Sequence, residues 1–273
     1  RSSNKFYTLV TPPGWAFSIW GLIFVAQAAS LICALVPKTS GPAKQVFDWQ
    51  LASAWIATCV LQSVWSFVFA YTVDFAAVLL ALSVVSTVAQ QILALRRIAA
   101  LREDGTVTKF RGIVLYVACV VPFSIHGGGT AAAAGLNANI AGVNHELTAT
   151  AQLAFAIGTL LWGFAAAWTF GVFGTPLSAW SSDPAYAGAL VWALYAIASH
   201  STSRPENAVD AVVTFPDDSI IPPALSRVST FAATLLVVAI VARGAVDAAR
   251  LTRADDVPSS PTKVHSRSAS LTG

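Results

Sequence analysis

The sequence predicts an all-α integral membrane protein, a bundle of about seven transmembrane helices. Three observations carry this. The 273 residues are 56% hydrophobic. Only 11% are charged, against about 25% in a typical soluble domain. Apolar stretches of about 20 residues, the length that crosses a bilayer, recur along the whole chain. The net charge of +3 is modest and does not point to nucleic acid. Cys33, Cys59 and Cys119 lie in apolar segments without metal spacing, so they indicate neither a disulfide framework nor a zinc site. They read as small buried hydrophobes. Met is absent, and the chain begins Arg1-Ser2-Ser3-Asn4-Lys5. That basic, Ser-containing start is expected of an organellar protein whose presequence has been removed; a chain cut at an arbitrary point is the alternative.

The first helix is expected at residues 15–36, opened by Pro12-Pro13, where a missing N–H costs nothing, and stopped by Pro37. The second is expected at 50–72 and the third at 75–95. Only Val73-Asp74 separates them, which predicts a tight antiparallel hairpin. The fourth runs over 112–140, the fifth over 147–173, a short sixth over 186–199 and the seventh over 225–246. Residues 201–223 are polar, with Pro205, Pro216, Pro222 and Pro223, and read as a loop on the membrane surface. Residues 252–273 are rich in Ser, Pro and Arg and read as disordered unless a partner holds them.

Charge follows the same plan. Arg96, Arg97, Arg102, Lys109 and Arg111 lie between the third and fourth helices, Lys38 and Lys44 in the first loop. Arg243, Arg250, Arg253, Lys263 and Arg267 lie in the tail. With seven spans these groups share one side, opposite Asp74, Glu146, Glu206, Asp210, Asp217 and Asp218. The positive-inside rule then puts the C-terminus on the cytoplasmic, stromal or matrix side.

Specific motifs stand on this frame. In Thr11-Pro12-Pro13-Gly14-Trp15-Ala16-Phe17-Ser18-Ile19-Trp20-Gly21, two tryptophans stand where a membrane helix meets water, a level that suits an apolar ring with one N–H. The second helix reads Cys59-Val60-Leu61-Gln62-Ser63-Val64-Trp65-Ser66-Phe67-Val68-Phe69. The fourth contains Val121-Pro122-Phe123-Ser124-Ile125 and Ala134-Gly135-Leu136-Asn137. On these residues the chain resembles the TspO/MBR family of tryptophan-rich sensory or translocator proteins. Gln62, Trp65 and Phe69 match that family's polar, Trp and Phe positions, and Pro122 with Leu136-Asn137 resembles its last core helix. The Pro-Phe-Ser start is that of longer members.

The resemblance covers residues 11–140, roughly half the chain. It implies a four-helix core over residues 1–140, an added three-helix membrane region over 141–250 and a polar basic tail over 251–273. The helix that precedes the Pro-Pro opening in five-helix members is missing, and the fourth-helix match needs a short insertion around Gly127-Gly128-Gly129. The resemblance further implies a Trp-lined cavity between helices that takes a tetrapyrrole or, in some members, a sterol.

The residues support a similar reading independently. Trp55, Gln62 and Phe69 recur at spacing seven, with Trp65 beside them, so they share one helix face. A Gln in hydrocarbon must hydrogen-bond and therefore faces the bundle interior. Flanked by rings, it suits a flat apolar ligand with a few polar groups; plain interhelical packing is the alternative. Ser124-Ile125-His126-Gly127-Gly128-Gly129-Thr130 sits mid-membrane. His126 there has the chemistry to ligate a chlorophyll or haem metal. In the simpler reading it bonds a neighbouring helix while the glycines form a packing seam. His145 and His200, at helix ends, read as interface residues first and pigment ligands second. Gly163, Ala167 and Gly171, with Trp162 and Trp168 beside them, form a close-packing row. Trp180 and Trp192 read as interface anchors.

Several chemistries are set aside. No lysine lies in an expected span to form a retinal Schiff base, and no paired intramembrane carboxylates make a proton relay, Asp74 being at a turn. Gly-rich nucleotide loops and nucleophile–His–Asp groupings are missing, so no enzyme is expected. A transporter would need paired intramembrane charges and interrupted helices in symmetric halves. The leading expectation is a membrane protein binding a lipophilic ligand, a tetrapyrrole (chlorophyll, haem or porphyrin) or a carotenoid, with no separate metal ion. Trp15, Trp20, Trp55, Gln62, Trp65 and Phe69 would line the cavity, with Gln62 and Asn137 fixing orientation. On either reading the membrane is expected to be organellar, a chloroplast thylakoid or a mitochondrial membrane; the alternative function is an accessory or linker subunit of an organellar, photosynthetic supercomplex. It would hold chlorophyll or carotenoid through His126, His145 or His200. Expected partners are lipid, a lipophilic small molecule and other membrane subunits.

Overall fold

A computed structural model describes residues 7–35, 40–174, 182–200 and 220–255, which are helical apart from short connections and contain no strand. Lys38, Trp180, residues 201–219 of the loop expected at 201–223 and the tail beyond 255 lie outside the described residues. A 3-10 turn, Gly14–Ser18, leads into α1, Ile19–Leu35. Extended Pro13 precedes it, as a proline with no N–H to lose should. A short α2, Ser40–Val46, precedes α3, Trp49–Val68. Asp48 caps α3 by accepting the Leu51 N–H at 2.9 Å, which satisfies an otherwise orphaned donor.

Helix α4, Val73–Glu103, runs 31 residues and corrects two expectations. Val73 and Asp74 are its first turn rather than a connection, and Arg96, Arg97 and Arg102 ride on its last turns rather than in a loop. No Gly or Pro interrupts that stretch, and Leu95, Ile98 and Leu101 bury one face of it. In the turn beyond α4, Asp104 accepts hydrogen bonds from the Thr106 side chain and backbone, which hold its carboxyl below the usual carboxylate range.

The fourth expected helix is two: α5, Lys109–Cys119, and α6, Val121–Asn144, bent by 44° at their junction. Pro122 sits at the start of α6, where its missing N–H and its ring break the ladder of the turn before it. Helix α7, Ala149–Ala167, widens into a π turn, Trp168–Phe173. It stops at Gly174, whose φ of +77° suits a residue without Cβ. Helix α8 is Pro184–His200 and α9 is Ile221–Asp255. The last expectation is corrected at both ends: Pro222 and Pro223 enter the first turn of α9, a position prolines tolerate, and residues 252–255 continue the helix.

Five helices are long and apolar enough to cross a membrane, or six when the bent α5–α6 pair counts as one span. The sixth expected span, α8, has 17 residues, about 25 Å of helix against about 30 Å of hydrocarbon. The fold is therefore an all-α membrane protein with five or six such spans among the described residues, where about seven were expected.

Packing centres on α6. It meets α4 on one side and α7 and α8 on the other, and α9 covers α8. A Cβ on Gly128 would lie 2.4 Å from the Tyr186 carbonyl oxygen and 2.8 Å from the Ala189 Cβ, so only glycine lets α8 dock this closely. Gly171 does the same for Ala187, at 2.2 Å, whereas a Cβ on Gly163 would meet nothing within 4 Å. Of the expected small-residue row, Gly171 is thus the tight point. One buried cluster joins Ala131 of α6 to Leu160, Leu190, Leu194 and Leu236 of α7, α8 and α9. A second joins Val46 of α2, Leu51 of α3, Leu95 and Ile98 of α4 and Leu115 of α5. Beside these, Arg97 of α4 pairs with Asp48.

Candidate functional site

Four helices frame a trough: α1 rests on α6, α6 on α4, and α4 on α3. Between α1 and α3 the trough holds a cavity of about 640 Å³, within the range of small-molecule sites. Trp20, Phe24 and Leu31 come from α1, while Trp55, Gln62 and Trp65 come from α3 and Phe69 from its C-terminal cap. His126, Ala133, Leu136 and Asn137 of α6 form the floor. The lining is mostly apolar, with Gln27, Gln62, His126 and Asn137 as its amide and imidazole groups and Thr11, Ser63 and Ser66 as its hydroxyls.

There a hydrogen-bonded chain crosses three helices. The Gln27 amide stands 2.8 Å from His126 Nδ1. His126 Nε2 lies 3.0 Å from Gln62 Oε1, Gln62 Nε2 donates to Thr130 Oγ1 at 3.1 Å, and Thr130 donates back to the His126 carbonyl at 2.8 Å. The Gln62 amide nitrogen also stands 2.8 Å from His126 Nε2, so that ring nitrogen meets an amide donor or an amide acceptor according to its tautomer. Both ring nitrogens are thereby engaged. Trp20 meets the imidazole edge-on, with ring centroids 5.7 Å apart. Trp65 donates to Asn137 Oδ1 at 3.4 Å and lies against Phe69 at 5.5 Å. The Asn137 Nδ2 and Trp55 Nε1 donors are buried and have no partner among the described residues, which costs free energy unless another group supplies an acceptor.

The structure brings together most of the residues singled out from the sequence. Trp20, Trp55, Gln62, Trp65, Phe69, His126 and Asn137 all line the cavity. Trp15 does not: it packs edge-on against Trp192 of α8 at 5.1 Å, and the Trp192 indole donates to the Ala16 carbonyl at 3.0 Å. That contact ties the N-terminal turn to α8. His145 pairs with Asp74 at 2.8 Å on an exposed surface, away from the cavity. The side chain of His200 lies outside the described residues. Sequence reasoning passed over Gln27 and Phe24. Gln27 carried a usable signal, for a lone amide inside the apolar run of α1 must find a partner just as Gln62 must.

A second polar cluster was not foreseen at all. Asp183, at the start of α8, is 1% exposed. Its carboxyl accepts from Gln91 at 2.6 Å, from Tyr116 at 2.7 Å and from Ser124. The backbone N–H groups of Ala185 and Tyr186 complete the set at 3.2 and 3.4 Å, as at a helix N-terminus capped by Asp. Four helices meet at this one side chain. Among the described residues, no group of three or more His, Cys, Asp or Glu is placed to hold a metal ion.

Comparison with known proteins agrees with the motif reading. The family model described as TSPO-like protein matches residues 1–242, well past residue 140, where the motif resemblance ends. No curated protein and no solved structure matches the chain.

Proposed function

The chain belongs to the TSPO-like family, and from that premise we propose that it is a non-enzymatic membrane protein holding a tetrapyrrole-type ligand in the cavity between α1 and α3. The observation that carries this reading is the lining: Trp20, Trp55 and Trp65 wall a cavity of about 640 Å³ whose floor is the Gln27–His126–Gln62 chain. Flat aromatic walls favour a flat apolar ring through stacking. Polar groups confined to one face orient it. Asn137 Nδ2, without a partner among the described residues, suits an acceptor on the ring's edge, such as a carbonyl or carboxylate oxygen.

The engaged imidazole refines the ligand. Axial ligation of a metal by His126 would require giving up a bond to Gln27 or Gln62, so the site fits a ring held by stacking and by its polar edge. In this reading the protein sits in an organellar membrane with its Arg-bearing end, which includes the last turns of α4 and α9, on the stromal, matrix or cytoplasmic side.

The test is a titration of the purified protein with protoporphyrin IX, followed by quenching of Trp emission. Saturable quenching is expected, with Trp65→Ala weakening affinity about tenfold, the loss expected for one aromatic stacking partner. Equal affinity in the variant would remove Trp65 from the site, and unsaturable quenching in the native protein would remove the function.

A further inference from the structure

Resting on that reading, we propose that the ring held in the cavity carries a short apolar arm, and that the arm enters a side chamber which α8 helps to build. The helices beyond residue 140 then take part in choosing the ligand.

The chamber, of about 70 Å³, lies between the N-terminal turn, α6 and α8. It adjoins the main cavity, for Phe17, Trp20, Ala133 and Leu136 line both. Trp20 stands at this junction, edge-on to the His126 imidazole. Helical periodicity sorts the two hollows on α6. His126, Thr130 and Asn137 follow one face, Gly129, Ala132 and Leu136 follow the next, and Ala133 lies between them. An arm that leaves the ring at Ala133 therefore turns away from the polar chain and into the chamber.

Small residues make the room. Gly129, Ala132 and Ala133 line it from α6, and Ala189 and Ala193 from α8. The N-terminal segment closes it with Pro12 and Ala16. That segment is fastened to α8, since Trp15 packs on Trp192 and the Trp192 indole donates to the Ala16 carbonyl. The shape of the chamber thus depends on α8 twice, through its lining and through the placing of its roof.

The chemistry of the lining selects an apolar occupant. Its one hydroxyl, on Thr159, already donates to the Gly135 carbonyl at 3.2 Å and accepts from Asn139 at 2.6 Å. The Trp192 N–H is spent on Ala16. A hollow lined this way excludes water. Walls around unfilled space forfeit dispersion contacts, which an apolar group restores on entering. Size sets the length of the arm. A dry cavity of about 150 Å³ takes a benzene ring, so one of about half that volume takes a chain of roughly four carbons.

The experiment uses the full chain in nanodiscs and a homologous set of probes. These are pyropheophorbide a molecules whose vinyl group is converted to a 1-alkoxyethyl ether bearing methyl, butyl, hexyl or octyl. Binding is read by quenching of Trp emission. Affinity should rise about tenfold from methyl to butyl, the return on filling a hollow of this size, and fall again by octyl. Ala132→Leu fills the chamber from α6. It should lose that rise yet bind the methyl ether within about twofold of the native protein, because residues that share no contact act independently. Ile197→Ala enlarges the chamber from α8 and should move the best chain from butyl to hexyl or octyl.

Longer chains also partition more strongly into lipid. Affinities that climb alike through octyl in all three proteins would therefore overturn the proposal, as would a native protein that binds butyl no better than methyl. Failure of the native protein to bind even the methyl ether saturably would overturn the cavity reading itself, and the arm with it.

Discussion

Two polar clusters, hung from the same helix two residues apart, behave in opposite ways. Ser124 points α6 into the Asp183 cluster, where one carboxyl gathers five donors from α4, α5, α6 and the start of α8. His126 points α6 into the cavity, where it is bonded by two glutamines and a threonine bonds one of them, while donors on Asn137 and Trp55 have no partner among the described residues. In the first cluster the carboxyl is saturated, although Gln91 Oε1 has no partner among the described residues, and Gly128 and Gly171 nearby leave no room for a methyl group. The second borders about 640 Å³ of space. A buried carboxyl with every site filled is a fastening. A polar chain with donors to spare, beside an aromatic cavity, is a place for a guest.

The sharpest way to break this contrast is at Asp183. Asp183→Leu strands the Gln91, Tyr116 and Ser124 donors, each worth about 1–3 kcal/mol when buried unpaired. Unfolding in detergent should therefore show a loss of at least about 3 kcal/mol, while the protein that remains folded keeps its porphyrin affinity within about twofold. Gly128→Val comes next, at about 1–3 kcal/mol for overpacking against Tyr186. Ala133→Val, on the cavity face of the same helix, should change stability by less than about 1 kcal/mol. Equal losses from the two would show that the faces of α6 do not differ.

Gln62→Leu removes the acceptor for His126 and should reverse the pattern. Stability should fall by only about 1 kcal/mol, with porphyrin affinity reduced about tenfold in the same titration. The smallest effect belongs to the exposed His145–Asp74 pair. Asp74→Asn should move stability by less than about 0.5 kcal/mol and leave binding untouched, so a larger shift would mark that surface as more than a rim.

How far these regions were legible from the sequence follows from the range of the interactions involved. Trp55, Gln62 and Phe69 announce one face of α3 because helical periodicity is local. Helix α1 repeats the rhythm, with Trp20 and Gln27 also seven apart, so Gln27 was readable by the same rule. Trp15 reads equally well as part of that wall, yet Trp192 captures it through a contact spanning most of the chain, and nothing near Trp15 encodes this. Asp183 was hidden for the same reason, its side-chain partners lying 59 to 92 residues away. The break between α5 and α6 was announced by Pro122, although the apolar run continues through it and reads as one span. The continuation of α4 to Glu103 was obscured because Arg96, Arg97 and Arg102 look like loop charge, while the buried Ile98 and Leu101 between them keep the helix going.

The most direct test of the central claim is a protoporphyrin IX titration in nanodiscs on three proteins side by side: native, Trp65→Ala and Trp162→Phe. Trp162 is exposed on the α7 surface and lies outside the cavity, so it serves as a lipid-facing control. Saturable binding that weakens about tenfold in Trp65→Ala and is unchanged in Trp162→Phe would establish the α1–α3 cavity as the site. Equal binding by all three would show that porphyrin sits elsewhere and contradict the account.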